Sequence, residues 1–247
     1  DWGTYYVSHG FIAMTIGPND PINDTWEDRG IGLLDAIETI RQENERNDSP
    51  LFGMIDINNF AVSGYSIGGG AAQVAATLDE SIDAVIALNP MLLFLDTENC
   101  DAASDYYCLI PEHLDHSVPV LIIAGENELD ELPDYENYWG LVHYEYTPIT
   151  TDKIYCEIEN EGHGSAAYPN GDVDNLALMW VKYYLLNEDS ICDSLVVSPE
   201  TASQYLTNLE CVGAEVIDIQ IPFIQDWNLV GLPMMVDNSD IEMIFPE

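Results

Sequence analysis

Apolar residues along the chain gather in short continuous runs, at residues 11–16, 60–62, 84–88, 118–124 and 154–158. Runs of this length, rich in Val and Ile, predict strands buried on both faces. Between several of them the repeat changes. Ile31, Leu34, Ile37 and Ile40 recur every three residues, and Leu176, Met179, Trp180, Tyr183 and Tyr184 form a stripe that closes on Leu186. Both segments predict helices with one apolar face. Asn170 or Asp172 is placed to cap the second helix. Buried strands alternating with helices predict the α/β class, a mostly parallel sheet with helices on both faces.

Past residue 211 the pattern shifts. Val216-Ile217-Asp218-Ile219-Gln220-Ile221 alternates as a strand does, and no helical repeat follows it. The expected organisation is one α/β domain over residues 1–211 and a short β-rich appendage over 212–247, which suits a chain of 247 residues.

Charge changes the picture more than bulk composition does. Hydrophobic residues make up 47 %, as in ordinary globular proteins, but 45 acidic residues stand against 5 basic ones, for a formal net charge of -40. Arg29, Arg41, Arg46, Lys153 and Lys182 are too few and too scattered to neutralise a polyanion. Nucleic acid is excluded as an expected partner and anionic membrane surfaces are disfavoured. Self-repulsion on this scale is relieved by salt, with a screening length of about 8 Å at physiological ionic strength and less in brine. A saline habitat is the expectation. No run of about 18 apolar residues exists, so no membrane insertion is expected, and residues 1–20 lack the charged start and apolar stretch of a signal peptide.

Of the five cysteines, Cys100 and Cys108 lie close together in a polar stretch, and Cys192 and Cys211 flank the end of the last predicted helix. Each pair reads as a loop staple, which belongs outside the cytosol. Cys156 is left inside a strand run, as a buried free thiol.

The chemistry centres on Gly64-Tyr65-Ser66-Ile67-Gly68. A Gly-x-Ser-x-Gly pentapeptide is common by chance, so its context decides. Here an apolar strand enters it, and Gly68-Gly69-Gly70-Ala71-Ala72-Gln73-Val74-Ala75-Ala76 reads as a helix leaving it. Strand, sharp turn and helix expose a strained serine as a nucleophile, and the first helical amide, that of Ile67, faces a developing oxyanion. A nucleotide-binding turn lacks support, since neither Gly-x-Gly-x-x-Gly nor a Lys-Ser/Thr pair is present.

A serine nucleophile of this kind takes an acid and then a histidine later in the chain. Among His9, His113, His116, His143 and His163, only His163 sits in a loop between a predicted strand and the last helix, within Gly162-His163-Gly164. For the acid, the run ending at Ala124 empties into Gly125-Glu126-Asn127-Glu128-Leu129-Asp130-Glu131. Spacing does not choose among its four carboxylates.

Together these residues resemble the bacterial cutinase and polyester hydrolase family, which includes poly(ethylene terephthalate) hydrolases. The resemblance covers about residues 2–211. Its markers are Ser8-His9-Gly10-Phe11, Gly64-Tyr65-Ser66-Ile67-Gly68-Gly69-Gly70, Asn89-Pro90-Met91, Val118-Pro119-Val120-Leu121-Ile122-Ile123, Gly125-Glu126-Asn127-Glu128 and Gly162-His163-Gly164. It implies an α/β-hydrolase fold without cofactor or metal, and an ester or polyester substrate. Ser66 is then the nucleophile and His163 the base. Glu128 stands where the family has aspartate, with Asp130 as the alternative acid. Ile67 replaces a methionine whose amide serves the oxyanion hole. Tyr65, Met91 and Gly164 fall in the substrate-binding region, Met91 in place of a ring-stacking aromatic. Cys192 and Cys211 match the family's C-terminal disulfide.

In that fold another strand lies between the runs at 11–16 and 60–62, and its following loop supplies a second oxyanion donor. Only Asp1 to Val7 precede the first marker, so the domain is expected to be N-terminally incomplete. Trp227-Asn228-Leu229-Val230-Gly231-Leu232-Pro233 resembles the opening of small β modules that follow catalytic domains in secreted bacterial proteins, which implies surface attachment or secretion machinery. The expectation is a secreted or cell-surface bacterial monomer that hydrolyses carboxylic esters. Its rivals are an esterase or dienelactone-hydrolase-like enzyme on small soluble esters, and a non-catalytic surface-attached module. Asn170-Gly171-Asp172-Val173-Asp174 reads as an acidic helix start in preference to a calcium loop.

Overall fold

A computed structural model of the chain describes residues 1–92, 110–128 and 140–211. A short helix α1 (Trp2–Ser8) and a long helix α2 (Trp26–Glu45) precede β1 (Ala61–Tyr65) and α3 (Ile67–Leu78). Then come β2 (Ala84–Leu88), a 3-10 turn (Pro111–Leu114), β3 (Val120–Gly125) and α4 (Gly140–Tyr146). The chain continues through β4 (Lys153–Ile158), α5 (Gly171–Leu186), a second 3-10 turn (Asp189–Ile191), α6 (Cys192–Leu195) and β5 (Ala202–Thr207).

The strands form one sheet in the order β1-β2-β3-β4-β5. The first four are parallel, and β5 runs antiparallel along the β4 edge. This is the mostly parallel sheet with helices of an α/β-hydrolase. Every residue of β2 and β3 is buried, as strands covered on both faces must be. Strand alternation sorts the core into two layers. Ile86, Leu88, Leu121, Ile123, Ile154 and Cys156 meet Leu176, Ala177 and Trp180 of α5. Val85, Ala87, Val120, Ile122 and Tyr155 meet Ala72, Ala75 and Ala76 of α3 and Ile37 of α2. The alanines bring α3 close to the sheet, and a fully buried large side chain such as Trp180 contributes roughly 1.5–3 kcal/mol or more. Helix α2 starts at a capping box in which Thr25 and Asp28 each accept the other's backbone N–H, worth about 1 kcal/mol.

Two expectations need correction, and one strand was not foreseen. Residues 11–16 form no strand, and Ile12, Met14 and Ile16 are exposed. A strand exists only through hydrogen-bonded neighbours, and among the described strands none pairs with this run. Strand β5 went unforeseen because its sequence, Ala-Ser-Gln-Tyr-Leu-Thr, carries little apolar weight and only one neighbour to lean on. Asn170 occupies the N-cap position of α5, yet neither it nor Asp172 caps the helix: Asn170 Nδ2 donates to the carbonyls of Ser165 and Tyr168, and Asp172 accepts from Thr201 Oγ1.

Cys192 and Cys211 are joined, tying the region after α5 to the residues beyond β5, and Cys156 is a buried free thiol pushed up to about 12 by desolvation. Cys100 and Cys108, and the whole appendage at 212–247, lie outside the described residues. Among the described residues no helix is long and apolar enough to cross a membrane, and no group of three or more His, Cys, Asp or Glu is arranged to hold a metal.

Candidate active site

Parallel strands deliver their following loops to one end of the sheet, and ligands of open α/β folds bind there. The ends of β1, β3 and β4 carry Ser66, Glu128 and His163 respectively. Ser66 joins β1 to α3 with φ 57° and ψ -120°, a conformation that costs about 1–3 kcal/mol and persists only where its surroundings hold it. They do so here. Its N–H donates to the Leu88 carbonyl at 2.9 Å, and its own carbonyl accepts from Gly69 (2.9 Å), Gly70 (3.2 Å) and Met91 (2.9 Å).

Glycines make the turn sterically feasible, but only one of the two in the pentapeptide is among them. A Cβ on Gly64 would lie 2.1 Å from the Gly68 carbonyl oxygen, and one on Gly70 would lie 2.3 Å from that of Met91. At Gly68 a Cβ meets open space.

His163 sits in the loop after β4, which is laced to the loop after β3. Asn127 N–H donates to the Glu161 carbonyl at 2.7 Å, Asn160 N–H donates to Glu126 Oε2 at 2.7 Å, and Gly125 leaves room where a Cβ would lie 2.3 Å from the Gly162 oxygen. The structure brings the three side chains into one line: His163 Nε2 is 2.9 Å from Ser66 Oγ, and His163 Nδ1 is 3.0 Å from Glu128 Oε1. Glu128 is buried at 2 % exposure, whereas Glu126 is solvent-exposed. That difference separates two of the four carboxylates that spacing left open, and Glu128 is the one the resemblance pointed to. Asp130 lies outside the described residues. The other histidines are elsewhere. His9 is exposed beside the Tyr5 carbonyl, His143 pairs with Gln73 in the core at 2.6 Å, and desolvation pushes buried His116 down to about 4.

Tyr65 is placed against His163, its hydroxyl donating to the His163 carbonyl at 2.9 Å and its ring 5.3 Å from the imidazole. Met91 is tied through its backbone, with its carbonyl accepting from Trp26 Nε1 at 2.7 Å. Gly164 faces open space. Ile67 is the first residue of α3, so its amide has no partner within the helix. Sequence reasoning noted Asn89 only within a marker and missed its contacts. Buried Asn89, with φ 43°, donates through Nδ2 to Glu128 Oε1 and to Ser165 Oγ (2.8 Å), and its Oδ1 accepts from the Ala166 N–H at 2.8 Å. Trp2 of α1 was also missed; its Nε1 donates to the Ala166 carbonyl at 3.0 Å.

A family model described as PET hydrolase-like matches residues 1–210. The chain belongs to this family. It is 27 % identical over 183 residues to a bis(hydroxyethyl) terephthalate hydrolase of Streptomyces coelicolor, an alignment covering 74 % of this chain and 51 % of that protein. It is 25 % identical over 201 residues to Cutinase est1 of Thermobifida alba, covering 81 % of this chain and 60 % of the relative. Against Cutinase 2 of Thermobifida cellulosilytica the identity is 25 % over 197 residues, covering 80 % and 66 %. The chain thus spans between half and two thirds of the length of these relatives.

Proposed function

We propose that the chain is a serine hydrolase of carboxylic esters, working through Ser66, His163 and Glu128. The observation that carries this reading is the position of the imidazole, 2.9 Å from the serine oxygen on one side and 3.0 Å from a buried carboxylate on the other. With its proton on Nδ1, held by Glu128, the ring offers the Nε2 lone pair to the Ser66 hydroxyl. His163 takes that proton as Oγ attacks the ester carbonyl. The tetrahedral oxyanion meets the Ile67 amide at the positive end of α3. Collapse expels the alcohol, which receives the proton from His163 and leaves an acyl-enzyme; water, deprotonated by the same imidazole, then releases the acid.

The substrate we favour is a neutral polyester or an ester fragment of one. Relatives named as cutinases and as a bis(hydroxyethyl) terephthalate hydrolase support this. So does the net charge of -40, which disfavours anionic substrates. Among the five cations Lys153 is buried, donating to the carbonyls of Tyr144 and Thr147, so it does little to offset the surface charge. The half-exposed ring of Tyr65 beside His163 offers an apolar wall for an acyl group. Life outside the cytosol agrees with the Cys192–Cys211 bond, and a saline setting agrees with the charge.

The test is hydrolysis of a short p-nitrophenyl ester and release of products from an amorphous polyester film. Turnover that disappears in Ser66→Ala is expected. A folded wild-type chain with no turnover would leave the non-catalytic module as the better reading, and turnover of the soluble ester without film products would favour an esterase for small substrates.

A further inference from the structure

The Asn89 side chain sits where three segments of the site meet. A primary amide has two N–H donors and one strong acceptor oxygen, and here each is engaged. One hydrogen goes to Glu128 on the loop after β3, the other to Ser165 Oγ at 2.8 Å, and the oxygen takes the Ala166 N–H at 2.8 Å. Ser165 and Ala166 belong to the loop that carries His163. The Asn89 backbone N–H donates to the Ile123 carbonyl at 2.6 Å, and two residues on, the Met91 N–H holds the Ser66 carbonyl at 2.9 Å.

The bland account is a buried amide that merely satisfies its neighbours. One detail argues for more. The oxygen that Asn89 binds is Glu128 Oε1, the same atom that faces His163 Nδ1. The last torsion of a glutamate side chain is broad and soft, so a carboxylate on this long arm needs an external partner to fix its plane. Asn89 supplies that partner while gripping the His163 loop at two further points.

We propose that Asn89 is a positioning residue that orients the Glu128 carboxylate and locks it in one frame with the loop carrying His163. This rests on the reading of Ser66, His163 and Glu128 as the reacting set. Asn89 does not touch substrate; it acts through the acid. Its positive φ of 43° suits Asn, Asp or Gly, which dictates the substitutions.

The experiment uses the full chain with a p-nitrophenyl ester, measuring kcat, KM and thermal midpoint for wild type, Ser66→Ala, Asn89→Gly, Asn89→Asp, Glu128→Gln and the Asn89→Gly/Glu128→Gln double variant. Asn89→Gly removes the amide without straining the backbone, and is expected to lower kcat about 10- to 100-fold with KM within about threefold, the range seen when partners that orient a reacting group are lost. Asn89→Asp keeps the shape but replaces the donating amide nitrogen with a carboxylate oxygen facing Glu128 Oε1, and is expected to fall at least as far; it carries the test if the glycine variant does not fold. In the double variant the losses should not multiply: its rate is expected within about threefold of Glu128→Gln alone. Wild-type kcat in folded Asn89→Gly, or losses that multiply fully in the double variant, overturns the proposal by itself. Turnover that persists in Ser66→Ala overturns the reading of the reacting set, and this proposal with it.

Discussion

The motif treats its two glycines alike, but the structure separates them, and that contrast yields a two-sided prediction. In Gly64→Ala the new methyl would lie 2.1 Å from the Gly68 carbonyl oxygen and 2.2 Å from its carbonyl carbon. Relief requires backbone to move by about 1 Å, because carbon and oxygen do not approach much closer than about 3 Å. Overpacking against side chains that can rotate costs about 1–3 kcal/mol. Here both partners are backbone, and the Ser66 carbonyl is fastened to Gly69, Gly70 and Met91, so the cost belongs at or above the top of that range. For a domain of this size about 3 kcal/mol lowers the melting temperature by roughly 6–12 °C. The same shift moves the Ile67 amide and Ser66 Oγ relative to His163, and a misplacement of about 1 Å costs on the order of 100-fold in rate. Gly68→Ala has the opposite sign: its Cβ meets nothing within 4 Å, and alanine in the first turn of α3 is expected to be neutral or to gain up to about 1 kcal/mol. Calorimetry of both variants with ester turnover checks the pair. Equal melting temperatures for Gly64→Ala and wild type, or equal losses in the two variants, would refute the reasoning.

Glu128→Gln keeps the shape but removes the charge that fixes the imidazole tautomer, so kcat should fall by roughly 10³- to 10⁴-fold while Asp130→Asn stays near wild type; the reverse pattern transfers the role to Asp130. Replacing both Cys192 and Cys211 by serine opens a loop of sequence separation 19, and chain entropy puts the cost at about 3 kcal/mol, measurable as a lower urea midpoint; an unchanged midpoint contradicts it. Burial, against weaker upward pulls from the Val118 backbone and Asp115, holds His116 down at about 4 from an ordinary 6.5. The folded state therefore binds this proton more weakly than the unfolded state. Stability from this group is present above about pH 6.5 and is lost as pH falls toward 4, by up to roughly 3 kcal/mol. Urea titrations between pH 4 and 7 should show a shallower pH dependence in His116→Phe, and parallel curves for the two proteins would rule this out.

The apolar runs at 84–88, 118–124 and 154–158 were legible because a strand buried on both faces must be apolar at every position, and β2, β3 and β4 lie within a residue or two of them. The serine turn was legible because a strand feeding an Ala-rich helix through glycine has few other uses. His163 was legible by its place between β4 and α5, whereas spacing did not separate Glu128 from Glu126 and only the family resemblance favoured it: alternate carboxylates in one loop look alike until burial turns one inward. The run at 11–16 reads as a strand by composition, yet strand formation depends on a neighbour, which no local pattern specifies. Asn89 escaped notice for the same reason: a polar residue closing an apolar strand is ordinary locally, and its three partners lie 39, 76 and 77 residues away in sequence.

By itself the sequence determined most of the buried strands, the helices between them and the turn that holds Ser66, since period, buried apolar runs and that turn are local properties. Only the tertiary structure decided which glycines the turn cannot do without, how deeply Glu128 is buried beside the imidazole, and that Asn89 joins Glu128 to the loop carrying His163. These depend on distances between segments far apart in the chain, and such distances are set by how the sheet and helices pack.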